Sequence, residues 1–341
     1  MRMSGRLFLL AFCLVPPALY GQAPSPGRVD VLSSVGGLPA DVVGRFREPM
    51  GFARVPNGPY YVFDRRGHSV HTVDSHDPKV RTLVEIGGEE GRLLDPSAFD
   101  VATDGSFAVA DAPGGRERVQ VFGAAGIRTG GFTRPGRTAA RVGLGPLVLS
   151  GVGSLVYTGR SIVLSEPDTG WLLTEYTTLG APVRSMGQLR PTGQESDREV
   201  HLALNTGLAL PEPSGGFFFI FLAGAPAIRK YSASGALLFE RAIQGRQLDQ
   251  VLAAMPQRWP RRAVGDREVP LVPPVVRTAA VDPEGRLWVS FVLPYTYVYD
   301  AEGEKLRTVQ FRAAGVIAAT SLAFPGGGRV LVTPGCYEFA F

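Results

Sequence analysis

The chain has 341 residues, a formal net charge of +4, 45% hydrophobic residues and 19% charged ones. That balance suits a large packed core and excludes wholesale disorder. The small positive excess, with no dense Lys/Arg run, gives no support to a nucleic-acid surface. The 43 glycines and 28 prolines supply the reversals that many short strands require. Lysine occurs only at Lys79, Lys230 and Lys305, so the basic residues are nearly all arginine. Arginine suits carboxylate and phosphate recognition, although GC-rich codon usage gives the same bias.

The N-terminus reads as a secretory signal over 1–23. Arg2 and Arg6 are its charged part, 7–15 (LFLLAFCLV) its apolar part, and a cut is expected near Gly21 or Ala23. The apolar run is shorter than the roughly 20 residues that span a bilayer. Phe12 stands where a lipoprotein signal has a small residue before Cys13. No later stretch is apolar enough for a transmembrane helix, so the expected location is periplasmic or extracellular. After cleavage Cys336 is the only cysteine, and the mature chain can form no internal disulfide.

Segment 27–34 (GRVDVLSS) alternates as a lone strand. A first unit follows, with strands at 51–55, 60–64, 69–73 and 80–86. The second repeats it at 98–102, 107–111, 118–122 and 127–132. Both have an Asn/Asp-Gly turn after the first strand and an aspartate closing the second, Asp64 and Asp111. A third unit has strands at 154–157, 162–166, 171–177 and 182–186. The fourth has 207–210, 216–222, 227–231 and 236–243, and the fifth 275–281, 287–291, 296–299 and 305–311. A last unit offers only three strands, at 321–324, 329–333 and 337–341. Segment 27–34 is expected to supply its missing outer strand and close the ring, leaving no open sheet edge.

Recurrence at about 45 residues is the period of propeller blades. The expected fold is all-β, a six-bladed β-propeller of four-stranded antiparallel blades over 24–341. The blades fall at about 47–93, 94–136, 150–187, 204–243, 273–311, and 318–341 plus 27–34. Units two and five resemble the NHL-repeat type of six-bladed propeller. The resemblance rests on Phe107-Ala-Val-Ala-Asp111, Leu287-Trp-Val-Ser290, Val119-Gln-Val-Phe122, Tyr297-Val-Tyr-Asp300 and the glycine turns between them. It covers nearly all of the mature chain and is weak in units three, four and six. It implies a fold rather than an activity, because that fold hosts binders, scaffolds, lyases and lactonases.

Three long connections, 133–153, 187–206 and 244–274, join a fourth strand to the next first strand, so all three are expected on one face. Long loops on a rigid scaffold are where function usually resides. Within the third, 247–255 (QLDQVLAAM) places Leu248, Val251, Leu252 and Met255 at helical spacing. This short helix reads as a lid packed on the propeller, with Met255 and Trp259 reaching a ligand pocket as the alternative. Arg258, Arg261, Arg262 and Arg267 read either as a solvated basic loop or as a clamp for an acidic ligand.

The zinc-dependent lyases of this fold need histidines from several blades, whereas His68, His71 and His76 share one unit and only His201 lies elsewhere. His71 reads as facing solvent. Calcium-dependent lactonases place oxygen ligands around the channel mouth. Glu48, Asp95 and Asn205 each stand just before a first strand and are the calcium candidates here, with lead-in turns as the plainer reading of the first two. Arg277 and Arg258 join these three as candidate ligand-binding residues. There is no Gly-x-Ser-x-Gly turn and no phosphate loop; Cys336 reads as a structural thiol. Tyr295, Tyr297 and Tyr299 share one strand face, for packing or for ligand stacking.

The leading expectation is an exported binding or scaffold protein without catalysis, taking a protein, peptide or small-molecule ligand on the loop-bearing face. No cofactor is expected beyond calcium. The alternative is a calcium-dependent hydrolase or lactonase, or a lyase, acting at the channel mouth.

Overall fold

A computed structural model of the chain describes residues 28–134, 142–144, 147–149, 154–256, 258–264 and 267–341. The signal-like segment 1–23 and most of the connection 133–153 lie outside these residues.

The short strands pair in sequence order as antiparallel neighbours. The first sheet holds Pro49–Arg54, Tyr60–Asp64, Ser69–Val73 and Val80–Val84. The second holds Ala98–Val101, Phe107–Asp111, Arg118–Phe122 and Arg128–Thr133. The third runs Leu155–Tyr157, Ser161–Ser165, Trp171–Thr177 and Pro182–Gln188, and the fourth Gly207–Pro211, Phe217–Phe221, Ala227–Tyr231 and Leu237–Ala242. A further four strands, Val276–Val281, Leu287–Phe291, Thr296–Tyr299 and Lys305–Arg312, continue through β1 (Val29–Gly37) into Tyr337–Ala340, Arg329–Thr333 and Ser321–Gly326.

Burial follows each strand's place in its sheet. The second strands, among them Phe107–Asp111, Phe217–Phe221 and Leu287–Phe291, are buried at every position. Neighbouring sheets cover both of their faces, so they read as continuous apolar runs rather than alternating ones. The fourth strands are more exposed: Leu237–Ala242 has no buried position, while Lys305–Arg312 is partly covered by β1. The apolar core is divided among the spaces between successive sheets. Tyr61 and Phe63 of the first sheet meet Phe107 and Val109 of the second. Ala108 and Ala110 meet Ile162 and Leu164, Val163 and Leu173 meet Phe217 and Phe219, and Phe218 and Ile220 meet Leu287 and Val289. Trp288 and Val298 meet Val330 and Val332. Leu331 and Cys336 then meet Phe52 and Val62 of the first sheet. The first strands also neighbour one another in turn, and Ser321–Gly326 returns to Pro49–Arg54. The result is an all-β, propeller-like arrangement of four-stranded antiparallel blades.

Two sequence expectations need correction here. Segment 27–34 was expected to supply the missing outer strand of the last unit. The strand instead extends to Gly37, and its first half runs parallel to Lys305–Arg312, with Leu32 opposite Phe311. Only its second half is antiparallel to Tyr337–Ala340, with Gly37 opposite Tyr337. β1 therefore ties two edges together instead of one. His71 does not simply face solvent: its ring nitrogens bond Ser69 Oγ at 2.8 Å and Thr82 Oγ1 at 3.1 Å, and Phe46 lies 5.2 Å away. Burial pushes its pKa down.

The aspartates that close second strands have a visible task. Asp64 accepts hydrogen bonds from the Arg47 and Glu48 backbone N–H groups, both at 2.8 Å, and Asp111 accepts from Leu94 N–H at 3.0 Å. Each carboxylate thus satisfies backbone N–H groups of the partly buried loop leading into its own first strand.

Candidate functional site

The first strand of each sheet has one neighbour inside its sheet and leaves its other edge toward the middle of the ring. Between these edges lies a cavity of about 1520 Å³. Its wall is mostly apolar: Phe52, Phe99, Leu155, Leu208, Val276 and Leu322 come from successive first strands. A pocket with a few convergent polar groups in an apolar wall is the usual form of a small-molecule site.

One end of the cavity is covered by the connection 244–274. Its lid helix spans Arg246–Ala253, slightly earlier than the spacing predicts. Leu248 is fully buried, and Val251, Leu252 and Met255 pack against the core between the fourth and fifth sheets. Tyr297 Oη donates to Gln247 Oε1 at 2.7 Å, fixing the helix start on the propeller. Val251, Met255 and Trp259 of this packed segment also line the cavity.

A second helix, Arg198–Leu204 of the preceding connection 187–206, has no counterpart in the sequence expectations. It interlocks with the lid segment. Arg261, in a hairpin of Arg261–Val264 and Arg267–Pro270, donates to both Asp197 carboxylate oxygens at 2.6 and 2.8 Å and to Glu199 Oε2 at 3.0 Å. Trp259 packs onto Val200, Ala203 and Leu204. Arg261 therefore holds two insertions together rather than serving a ligand clamp. Arg258 is exposed and does not line the cavity.

The calcium candidates are not gathered at one point. Glu48 lines the cavity, but its carboxylate is held by Arg65 through contacts of 2.7 and 3.0 Å. The Asp95 side chain is 70% exposed, 3.9 Å from His68. Asn205 is fully buried, with its amide bonded to the backbone of Arg190 and His201. Among the described residues no three His, Cys, Asp or Glu side chains lie close enough together to hold a metal ion. Arg277 does line the cavity. Cys336 is fully buried and burial pushes its thiol up to about 12, which fits a packing role. Tyr297 and Tyr299 are buried in the core between sheets, so packing explains them.

No protein-family model and no curated protein matches the chain. Solved structures do resemble it. Streptogramin B lyase aligns with a TM-score of 0.50 at 10% identity, over 85% of this chain and 92% of that one. Virginiamycin B lyase from Staphylococcus aureus aligns at 0.52 and 11%, over 86% and 93%. A Bacteroides thetaiotaomicron protein of unknown function aligns at 0.52 and 14%, over 86% and 70%. These neighbours are β-propeller proteins. At such identities the likeness concerns the fold alone.

The propeller wall also holds a carboxyl that the sequence did not single out. Asp100, in the first strand of the second sheet, lines the cavity. Its Oδ2 accepts from Tyr157 N–H of the next first strand at 2.8 Å and its Oδ1 from Val101 N–H at 2.9 Å. Burial pushes its pKa up to about 6, against the opposing pull of those two hydrogen bonds. Nothing marked it beforehand, because an aspartate in a strand reads as a solvent-facing residue. The unfolded chain loses this proton near 3.8 and the folded chain near 6. Stability from this group is therefore full below the lower value, falls as pH rises between the two, and is flat above. Asp100→Asn is expected to remove that part of the slope, read from urea midpoints at pH 4 to 7.

Proposed function

We propose that the chain is an exported, six-bladed propeller of NHL-repeat type that binds a small molecule in its central cavity. The six inter-sheet cores and the returning ring of first strands support six blades, with β1 completing the last. The 1–23 segment supports export to the periplasm or beyond. The observation that carries binding is the apolar cavity of about 1520 Å³ covered by Val251, Met255 and Trp259 of the lid. Titration with the neutral apolar fluorophore N-phenyl-1-naphthylamine tests it. One saturable site is expected, weakened about tenfold or more by Ala254→Trp, which fills the cavity from the exposed end of the lid helix. No saturable binding to the unaltered protein overturns the reading.

A second reading, a hydrolase, lactonase or lyase acting in the channel, draws on Asp100. A wall carboxyl that exchanges its proton near pH 6 is suited to general acid–base work. Metal analysis with a screen of lactones and esters separates the two: turnover abolished by Asp100→Asn selects the enzyme.

A further inference from the structure

Three arginines line the cavity, and they differ in what they touch. Arg65 is taken up by Glu48. Arg54 donates to Gly58 O at 3.3 Å and lies 5.0 Å over the Tyr60 ring. Arg277 is exposed, and among the described residues it has no hydrogen-bond, ion-pair or ring partner. It occupies a bulge between Val276 and Thr278 at the start of its strand, where a register shift frees one residue from pairing. Bulges of this kind re-aim a side chain. The position is beside the lid, since the preceding prolines 273 and 274 also line the cavity together with Met255 and Trp259.

We infer that the cavity takes an apolar carboxylic acid, its body against the lid and its carboxylate on Arg277; this rests on the small-molecule reading above. A guanidinium presents a fork that matches a carboxylate, and the pair gains strength at the edge of an apolar, low-dielectric space. One unpartnered arginine suits a monoanion; a phosphate dianion generally calls for several cations or a row of backbone donors. The other charges of the wall reinforce the placement. Glu48 is neutralised by Arg65, and Asp282 by Arg286 at 2.7 Å. Asp100 lies on the second sheet, three first strands away from that of Arg277 in either direction around the ring. A bound anion on Arg277 therefore stays clear of Asp100, the wall carboxylate that has backbone N–H groups and no cation as partners among the described residues.

Two probes with the same body test this: 11-(dansylamino)undecanoic acid and its primary amide, titrated at pH 7.5 into the unaltered protein and into Arg277→Gln. The acid is expected to bind at least tenfold more tightly than the amide, and Arg277→Gln to abolish that preference while leaving the amide's affinity unchanged. Equal affinities in the unaltered protein, or a preference that survives Arg277→Gln, overturn the inference while leaving cavity binding standing. If neither probe binds while N-phenyl-1-naphthylamine does, the inference falls and cavity binding stands; if none of the three binds, the small-molecule reading falls with it. A melting curve for the variant guards against misfolding, and exposed Arg277→Gln is expected to match the unaltered protein.

Discussion

Arg134→Met is expected to lower stability by about 3–5 kcal/mol, a large effect for one residue. Arg134 lies just after the outer strand of the second blade, with its side chain 11% exposed. It bridges Glu117 Oε2 and Glu166 Oε1, both at 2.5 Å, and Asp168 stands 3.9 Å away. The Glu117 and Glu166 side chains are 4% and 0% exposed. Tyr176 Oη donates to the second oxygen of Glu166 at 2.6 Å, but a hydroxyl carries no charge to offset two carboxylates. Removing the guanidinium leaves two buried anions without their cation, and that penalty far exceeds what a surface pair contributes. Urea denaturation of the variant, beside the exposed-pair control Arg241→Met, gives the comparison. Arg241 pairs with Glu304 in the open, and its loss is expected to cost about 0.5 kcal/mol. Equal midpoints for the two variants would contradict the role assigned to Arg134.

Gly37→Ala is expected to cost about 3 kcal/mol and to promote association. Gly37 has a φ of 124°, and a Cβ there would meet Cys336 O at 2.3 Å and Tyr337 Cα at 2.8 Å. Both obstructing atoms are backbone, so relief requires β1 to part from Tyr337–Ala340. Leu38 N–H donates to the same Cys336 carbonyl at 3.0 Å, and that bond would go as well. Because β1 also covers Lys305–Arg312, its displacement uncovers two strand edges, each a template for another chain. The neighbouring Gly36→Ala is the control: its Cβ would lie 3.9 Å from Glu338, an ordinary contact. Size-exclusion chromatography and urea midpoints are expected to leave Gly36→Ala near the unaltered protein and to separate Gly37→Ala from it.

The repeating strands were legible because burial on both faces imposes a strong sequence pattern. FAVAD, FFFIF and LWVSF are the continuous apolar runs expected of strands covered on both faces, and the structure has them at Phe107–Asp111, Phe217–Phe221 and Leu287–Phe291. The lid helix was legible from Leu248, Val251, Leu252 and Met255, since one face meets the core. The helix Arg198–Leu204 was not: with Val200, Leu202, Ala203 and Leu204 buried, it is a seven-residue element too short for its period to stand out. Nor were the partners of site residues legible. Glu48, Asp95 and Asn205 share a position before a first strand, yet one is salt-bridged, one solvated and one buried. Sequence position placed Arg277 at the channel, but only the contacts of Arg54 and Arg65 show that it alone of the three is without a partner among the described residues.

The most direct test is a crystal structure of residues 24–341 grown with 11-(dansylamino)undecanoic acid. The account predicts the probe inside the ring, its body against Met255 and Trp259 and its carboxylate on Arg277. A probe bound only on the outside of the blades, with the channel left to water, would contradict it.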